Sequence, residues 1–450
     1  MVRIDLRNLF NPATGYWAVP YCIYLYRNLS LIHKSYKFRI YPTPEQELYL
    51  NQAFGAKRFI FNHFLWTNNQ RFANKEKHLN AFGCNYIITD MKKMDEYSWL
   101  RDMDSIILQN STADLHQAYS NFFTSIKGKR KGKKVEKPRF KKKSNRQSFR
   151  TNCKLDQENG LLKIPKLNTW FKITNHQDVL GTIKTVTISR CPSGKYFASI
   201  LTEQDIVPKG LTGKEVGIDL GIKDLFITSD GHKCSNLKLL TEKTNRLLKQ
   251  QQKILARKTK GSNNFEQQRI KVAKKFEKIT NVKNDVFHNV SNWLVTEYDA
   301  IYMEDLNVAG MIKNRKLSRS IHQSSWNSLT NMIEYKCNWY GKTFYKIDGW
   351  YPSSKTCSSC GHKLDSINLD IRKWTCPSCG TNHDRDINAA VNVKHKGQED
   401  LYGDIPVQQG NWDLKVPMVL QKLVDKIERS LDVSGVNQGS KQAAGSLDQQ

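Results

Sequence analysis

Two pairs of cysteines constrain this chain more than any other feature: Cys357-x₂-Cys360 and, after fifteen intervening residues, Cys376-x₂-Cys379. Two thiolates two residues apart can hold one metal from a tight knuckle, and a second knuckle completes a closed tetrahedral shell. Gly361 and Gly380 each follow a knuckle's second cysteine, where a chain turning back often needs a positive φ. The spacing predicts a structural zinc ribbon with Cys357, Cys360, Cys376 and Cys379 as ligands. Two solvent-facing redox pairs are the competing reading. His362 and His383 are spare donors, because four thiolates already fill the shell. A closed shell leaves no open position, so such a zinc staples the fold and does no chemistry.

The 450 residues are enough for two to four domains. Lys and Arg number 71 against 42 acids, a net charge of +29. That imbalance implies a polyanionic partner, with nucleic acid as the default. An anionic membrane surface is the competing polyanion, but no segment is built to span a bilayer. Tyr16 to Tyr26 is apolar, yet it is too short, contains Pro20 and lacks a small-residue cleavage site. Residues 1–33 are therefore expected to be an extension outside the fold, whose deletion leaves folding and activity intact. Six cysteines outside the pairs (Cys22, Cys84, Cys153, Cys191, Cys234 and Cys337) are scattered singles, which fits a reducing cytoplasm better than a disulfide framework.

Along the chain, Tyr36 to Tyr41 alternates as a strand from about Ser35, and Pro42-Thr43-Pro44 stops it. Thr43 is placed to cap a helix with Pro44 at its first position. Residues 45–72 follow with Leu48, Ala53, Phe54, Phe59, Phe61 and Leu65 as the predicted apolar face. Residues 104–126 read as a second helix facing inward through Ile107, Leu108, Leu115, Ala118, Phe122 and Phe123. Composition then shifts: residues 127–146 carry twelve Lys or Arg and one acid, Glu136. A solvated linker is one reading of such a run. A phosphate clamp made by Lys129, Arg130, Lys131, Lys133, Lys134, Arg139, Lys141, Lys142, Lys143 and Arg146 is the other, and the one favoured here. Phe140 and Phe149 interleave with the charge, as base-stacking rings or as anchors. Residues 149–204 alternate as strands, with Pro192-Ser193-Gly194 as a hairpin turn. Residues 216–221 and 225–228 are strands, and 243–283 a basic helical stretch broken at Gly261-Ser262-Asn263. Further strands fall at 300–303 and 343–347 around a helix at 325–340, and Asp386 opens a helix to about Lys394. Beyond Val433 the Gly/Ser/Gln-rich tail reads as disordered.

Three acids sit where chemistry needs them. Asp219 lies in a strand between Ile218 and Leu220, where a charge is costly unless paired or bound to metal. Glu304 ends an apolar strand, and Asp386 starts a helix beside the ribbon. Singly, each has a plain alternative: a salt-bridged core acid, a solvated strand end, an N-cap. Jointly, strand-acid, strand-acid, helix-acid is the layout of an RNase H-like nuclease. There the acids hold two Mg²⁺ ions roughly 3.5–4 Å apart for an in-line displacement, and carboxylate oxygens suit that hard cation.

The stretches SYKFRIYPTPEQ, GAKRFIFN, KPRFKKKSNRQSFR, VGIDLGIKDLFITSDG, IYMEDLNVAGM, YPSSKTCSSCG and CPSCGTNHDRDINAAVNV occur in this order over residues 35–395. Through them the chain resembles the TnpB (OrfB) family of transposon-encoded RNA-guided nucleases, related to type V CRISPR effectors. The resemblance implies that Asp219, Glu304 and Asp386 are a RuvC-type triad holding Mg²⁺, with Asp386 rather than Asp384 as the third acid. It implies a multidomain α/β and α+β chain: an RNase H-like (RuvC) domain with an inserted Cys₄ zinc ribbon, a β-barrel-like wedge and a helical recognition lobe. The expected boundaries are 34–43 and 126–205 for the wedge, 44–125 for the recognition lobe, and 206–356 and 381–400 for the RuvC-like parts. The ribbon takes 357–380, and 401–450 is a partly disordered tail. The implied partners are a guide RNA from the transposon end and double-stranded target DNA, in the cytoplasm of a prokaryotic cell, with a monomer favoured. His288-Asn289 departs from the family's usual His-Lys. Two other functions compete: a transposase catalysing strand transfer with the same acids, and a non-catalytic DNA-binding regulator using only the basic run and ribbon.

Overall fold

Strand β1 (Ile32–Tyr41) buries alternate residues, Tyr36, Phe38 and Ile40, as period-two patterning requires. The structure, a computed structural model, describes residues 31–403 except 131, 145, 206–207, 312, 314–317, 319–323 and 369, together with 10–11 and 16–17. Lys131, most of the expected 1–33 extension and nearly all of the expected 401–450 tail lie outside the described residues. The extension's expected end needs correcting, however. Ile32 and His33 pair with Gln204 and Glu203, because the backbone ladder continues past the last buried side chain. Removal of residues 1–30 is expected to leave the melting temperature unchanged, whereas removal through Tyr36 takes five of the nine residue pairs between these strands and lowers it.

Two compact units are present, one formed by residues 31–205 with 243–280 and the other by 206–242 with 281–403. In the first, helix α1 (Pro44–Ala73) starts as predicted, with Pro44 at its beginning. The Thr43 hydroxyl accepts from Gln46 N–H, and the Gln46 side chain accepts from Thr43 N–H, a reciprocal capping box. The buried face is Leu50, Ala53, Phe54, Ile60, Phe61, Phe64 and Leu65. Leu48, predicted on that face, is 61% exposed. Two residues at ~100° each carry it to the far side of Leu50. Helix α2 (Ala81–Met91) is followed by α3 (Ser105–Ile126), which Asp104 caps by accepting from Ile106 N–H. Ile107, Leu108 and Leu115 are buried as predicted, but Tyr119 completes the face and Phe123 is exposed. Polar residues also sit within that face: Ser111 donates to Lys57 O and Thr112 to Asn85 Oδ1.

The same unit holds β2 (Gln147–Thr151), β3 (Lys154–Asp156), β4 (Leu161–Lys163), β5 (Phe171–Ile173), β6 (Thr182–Arg190) and β7 (Tyr196–Gln204). With β1 they form a seven-stranded antiparallel sheet in the order β2-β6-β7-β1-β5-β4-β3. Helices and sheet share one apolar core, in which Phe54 packs on Phe149. Phe149 is therefore a core anchor and not a base-stacking ring.

The second unit carries β8 (Glu215–Asp219), β9 (Asp224–Thr228), β10 (Lys233–Ser235), β11 (Ala300–Glu304) and β12 (Thr343–Ile347). Their order is β10-β9-β8-β11-β12, the first two pairings antiparallel and the last two parallel. That is the 3-2-1-4-5 order of an RNase H-like sheet. Helices α4 (Lys238–Ala256) and α5 (Asn263–Glu297) separate at the predicted Gly261 break, and α6 (Trp326–Tyr340) precedes β12. The ribbon's hairpin, β13 (Lys373–Thr375) with β14 (Asn382–Asp384), runs into α7 (Arg385–Tyr402). Helix α7 is longer than expected, reaching Tyr402 rather than Lys394.

Close approach of α7 to the sheet depends on small residues. Ala389 and Ala390 are buried, and a Cβ on Gly217 would stand 2.0 Å from Ala390 O. A Cβ on Gly397 would stand 2.1 Å from the Tyr302 ring. Gly217→Ala is expected to cost about 1–3 kcal/mol, read as a lower melting temperature, because the α7 backbone at Ala390 and Lys394 cannot yield cheaply.

Candidate active site and metal centre

The sheet order brings the ends of β8 and β11 side by side. Ile218 pairs with Met303, so Asp219 and Glu304 follow at neighbouring parallel strand ends. Asp386 reaches the same place from the first turn of α7. Asp384 provides the helix cap, accepting from Asp386 and Ile387 N–H. Its carboxylate is thus committed to the backbone and to Lys233 at 2.8 Å, while Asp386 is spared from capping. The N-cap alternative for Asp386 is thereby overturned.

The electrostatics record the convergence. Asp219 is pushed up to about 7, first by burial, then by the negative charges of Glu304 and Asp386. Burial also raises Glu304, against the opposing effect of a hydrogen bond from the Ser353 hydroxyl. The Arg385 charge and the Leu220 N–H offset only part of this, so the three like charges are held together in a poorly solvated place. Three carboxylates with hard oxygen donors fit Mg²⁺ chemically. Arg372, on the ribbon, supplies one cation: its Nη1 stands 2.9 and 3.1 Å from the two oxygens of Asp386.

The four cysteines converge as the spacing predicts, their sulfurs all lying within 4.8 Å of one another. Cys357 and Cys379 sulfurs are 3.7 Å apart, and Cys360 and Cys376 sulfurs 3.6 Å. A tetrahedral metal with sulfurs at ~2.3 Å places them about 3.8 Å apart, so the cluster could hold a metal. The knuckles are near-copies. Cys357 N–H donates to His362 O and Gly361 N–H to Cys357 O, as Cys376 N–H donates to Thr381 O and Gly380 N–H to Cys376 O. Gly361 and Gly380 have φ of 74° and 72°. His383 Nε2 lies 3.0 Å from Cys357 sulfur, beside the shell rather than as a needed fifth donor.

Three stretches match known families. Residues 199–315 match the OrfB_IS605 family, described as a probable transposase, and 326–393 a Cas12f1-like TNB domain. Residues 30–77 match a helix-turn-helix domain, which here is strand β1 and the single long helix α1. A Streptomyces pristinaespiralis protein, provisionally named an RNA-guided DNA endonuclease, is 36% identical over 81% of this chain and 90% of its own length. The chain belongs to the TnpB (OrfB) family. An Escherichia coli K12 protein provisionally named the RNA-guided DNA endonuclease InsQ is 31% identical, over 84% of this chain and 95% of its own length. Among solved structures, a Cas12f1–sgRNA–target DNA complex matches with a TM-score of 0.48 at 13% identity, covering 81% of this chain and 99% of that one.

In this TnpB-family chain the structure adds residues that motif reading passed over. Ser353 holds Glu304. Asn392 Nδ2 donates to the carbonyls of Ser353 and Thr356. Asn388 donates to Thr356 O and accepts from Ser358 N–H. The first knuckle is thus tied to α7 by two asparagines, and to Glu304 by a serine. The visible signal was two buried Asn four residues apart on an otherwise apolar helix face. Within the basic run, Lys129, Arg130, Lys133, Lys134, Lys142, Lys143 and Arg146 are exposed. Arg139 is exposed but ion-paired with Glu136. Lys141 departs from the expected phosphate clamp. Its ammonium sits 3.7 Å from the centre of the Phe61 ring and is lowered to about 8, chiefly by burial. No helix among the described residues is long and apolar enough to cross a membrane.

Proposed function

We propose that this chain is an RNA-guided DNA endonuclease that cuts phosphodiesters at Asp219, Glu304 and Asp386. The observation that carries the reading is the convergence of the three acids, in which burial first, and then two negative neighbours, raise Asp219 to about 7. A buried carboxylate so disfavoured gains most from a divalent cation, and catalytic groups are where such perturbation concentrates. Bound there, a pair of Mg²⁺ ions would supply water activation and charge stabilisation at the leaving oxygen. Ser353 orients Glu304 by donating to it, and Asp384 holds the first turn of α7 so that Asp386 faces the strand ends. Arg372 neutralises Asp386 and lies within reach of a phosphate arriving there. Zinc is the metal proposed for the cysteine cluster, in a structural role. The guide RNA is proposed to come from the transposon end and to lie on the unit formed by residues 31–205 with 243–280, whose basic run 127–146 contacts phosphate. There, residues 34–43 and 126–205 act as wedge and 44–125 as recognition lobe.

The test supplies purified protein with RNA from its own locus, a plasmid carrying the matching sequence, and Mg²⁺. Linear plasmid that vanishes with Asp219→Ala supports the reading. Guide-independent joining of DNA ends would replace it with strand transfer, and binding with no cutting under any divalent cation would replace it with a regulator.

A further inference from the structure

On one face of α1 an open cavity of about 430 Å³ is lined by Gly55, Arg58, Phe59, Asn62, His63 and Trp66. Its size is that of a small-ligand site. Core packing does not account for Trp66, which is 55% exposed; Trp99, which lies against Phe59, is 39% exposed. Phe59 is braced by Trp99 at 5.4 Å and Tyr97 at 5.8 Å, so the aromatic wall is fixed rather than floppy. Gly55 leaves the mouth clear, since a Cβ there would meet nothing within 4 Å. Arg58 is oriented by Gln147 at 3.1 Å. Asn62 binds both backbone groups of Lys141, which pins the basic run at the cavity's rim.

Flat apolar walls, a planar guanidinium and hydrogen-bonding edges suit a flat ring with polar edges. The adjoining cations Lys142, Lys143 and Arg146 suit the phosphates on either side of it. We propose that this cavity receives an unpaired nucleobase of the bound RNA, stacked on Trp66 and Phe59. RNA rather than DNA is assigned because RNA offers unstacked bases in loops, bulges and ends that aromatic and Arg planes take up. A duplex DNA base would first have to be extruded, at a cost of a few kcal/mol. The proposal rests on the chain being RNA-guided.

The experiment is an anisotropy titration of fluorescein-labelled locus RNA with the full chain, Trp66→Ala and Trp66→Phe, at several salt concentrations. Trp66→Ala is expected to weaken RNA binding about 5- to 100-fold, the range for one lost base stack. Trp66→Phe should recover most of that loss. The slope of log affinity against log salt should stay the same, because no phosphate contact is removed. Unchanged affinity in Trp66→Ala, with plasmid cutting intact, would overturn the cavity's role and leave the endonuclease reading standing. A loss confined to a single-stranded DNA probe would overturn the assignment to RNA. Failure of the unsubstituted chain to bind either probe would sink both proposals.

Discussion

Asp219→Asn is expected to lower DNA cutting by about 10³-fold or more while leaving guide RNA and target binding within about twofold. The asymmetry follows from position. Asp219 stands at the end of β8, in the fold unit distinct from the one carrying the basic run, so removing its charge takes away a carboxylate proposed to hold metal and none of the basic run's cations. The same substitution makes a second, opposite prediction for stability. The folded protein holds the Asp219 carboxyl near 7, above its ordinary value of 3.8, so folding takes up a proton between those values. Its contribution to stability is complete below 3.8 and is lost as pH rises through about 7. Asparagine carries no charge to bury. The metal-free variant should therefore melt a few degrees higher than the unsubstituted chain at pH 8, and the gap should shrink toward zero at pH 4. Added Mg²⁺ should narrow it at pH 8 by stabilising only the unsubstituted protein. Calorimetry with and without the ion reads both effects. A variant that cuts normally would remove Asp219 from the mechanism. One that is destabilised at pH 8 would mean that Arg385 and the Leu220 N–H stabilise the carboxylate more than burial and the two acids disfavour it.

How far this site could be read in advance varied residue by residue, for physical reasons. Asp219 and Glu304 stood out because each interrupts or ends an apolar strand, a local signal. The choice of Asp386 over Asp384 came from resemblance alone; the structure supplies its reason, since Asp384 is spent on the helix cap. Ser353 and Asn392 were illegible as partners. Each is an ordinary polar residue whose role lies in a contact 39 or more residues away in the chain. Lys141 shows the limit within a charge run: ten similar cations look alike in sequence, and only packing decides which ammonium covers a ring. Leu48 shows the converse for apolar residues, since composition marked it for the core and helical phase turned it outward.

Removing the metal from the cysteine cluster is expected to open residues 357–380 to protease and to lower cutting by about 10- to 100-fold, with RNA binding nearly unchanged. Structural zinc sites supply on the order of 10 kcal/mol to the segment they fold, more than the ribbon's short β13–β14 hairpin can supply for itself. The effect on chemistry follows from the contacts at the first knuckle. Asn388 and Asn392 grip Thr356 and Ser353, and Ser353 holds Glu304, so loosening the knuckle frees a carboxylate at the site. Arg372 leaves Asp386 in the same event, because it too rides on the ribbon. Outer contacts of this kind typically carry 10- to 100-fold in metal affinity or activity. Cys360→Ser with Cys376→Ser should reproduce the chelation result, since together they remove one sulfur from each knuckle. Ser353→Ala, with the metal retained, separates the two contributions: it should raise the Mg²⁺ concentration needed for half-maximal cutting while leaving the ribbon protease-resistant. Unchanged proteolysis after chelation would show that the ribbon folds without its metal. Full cutting despite an opened ribbon would show that Glu304 and Asp386 are held by the sheet and α7 alone.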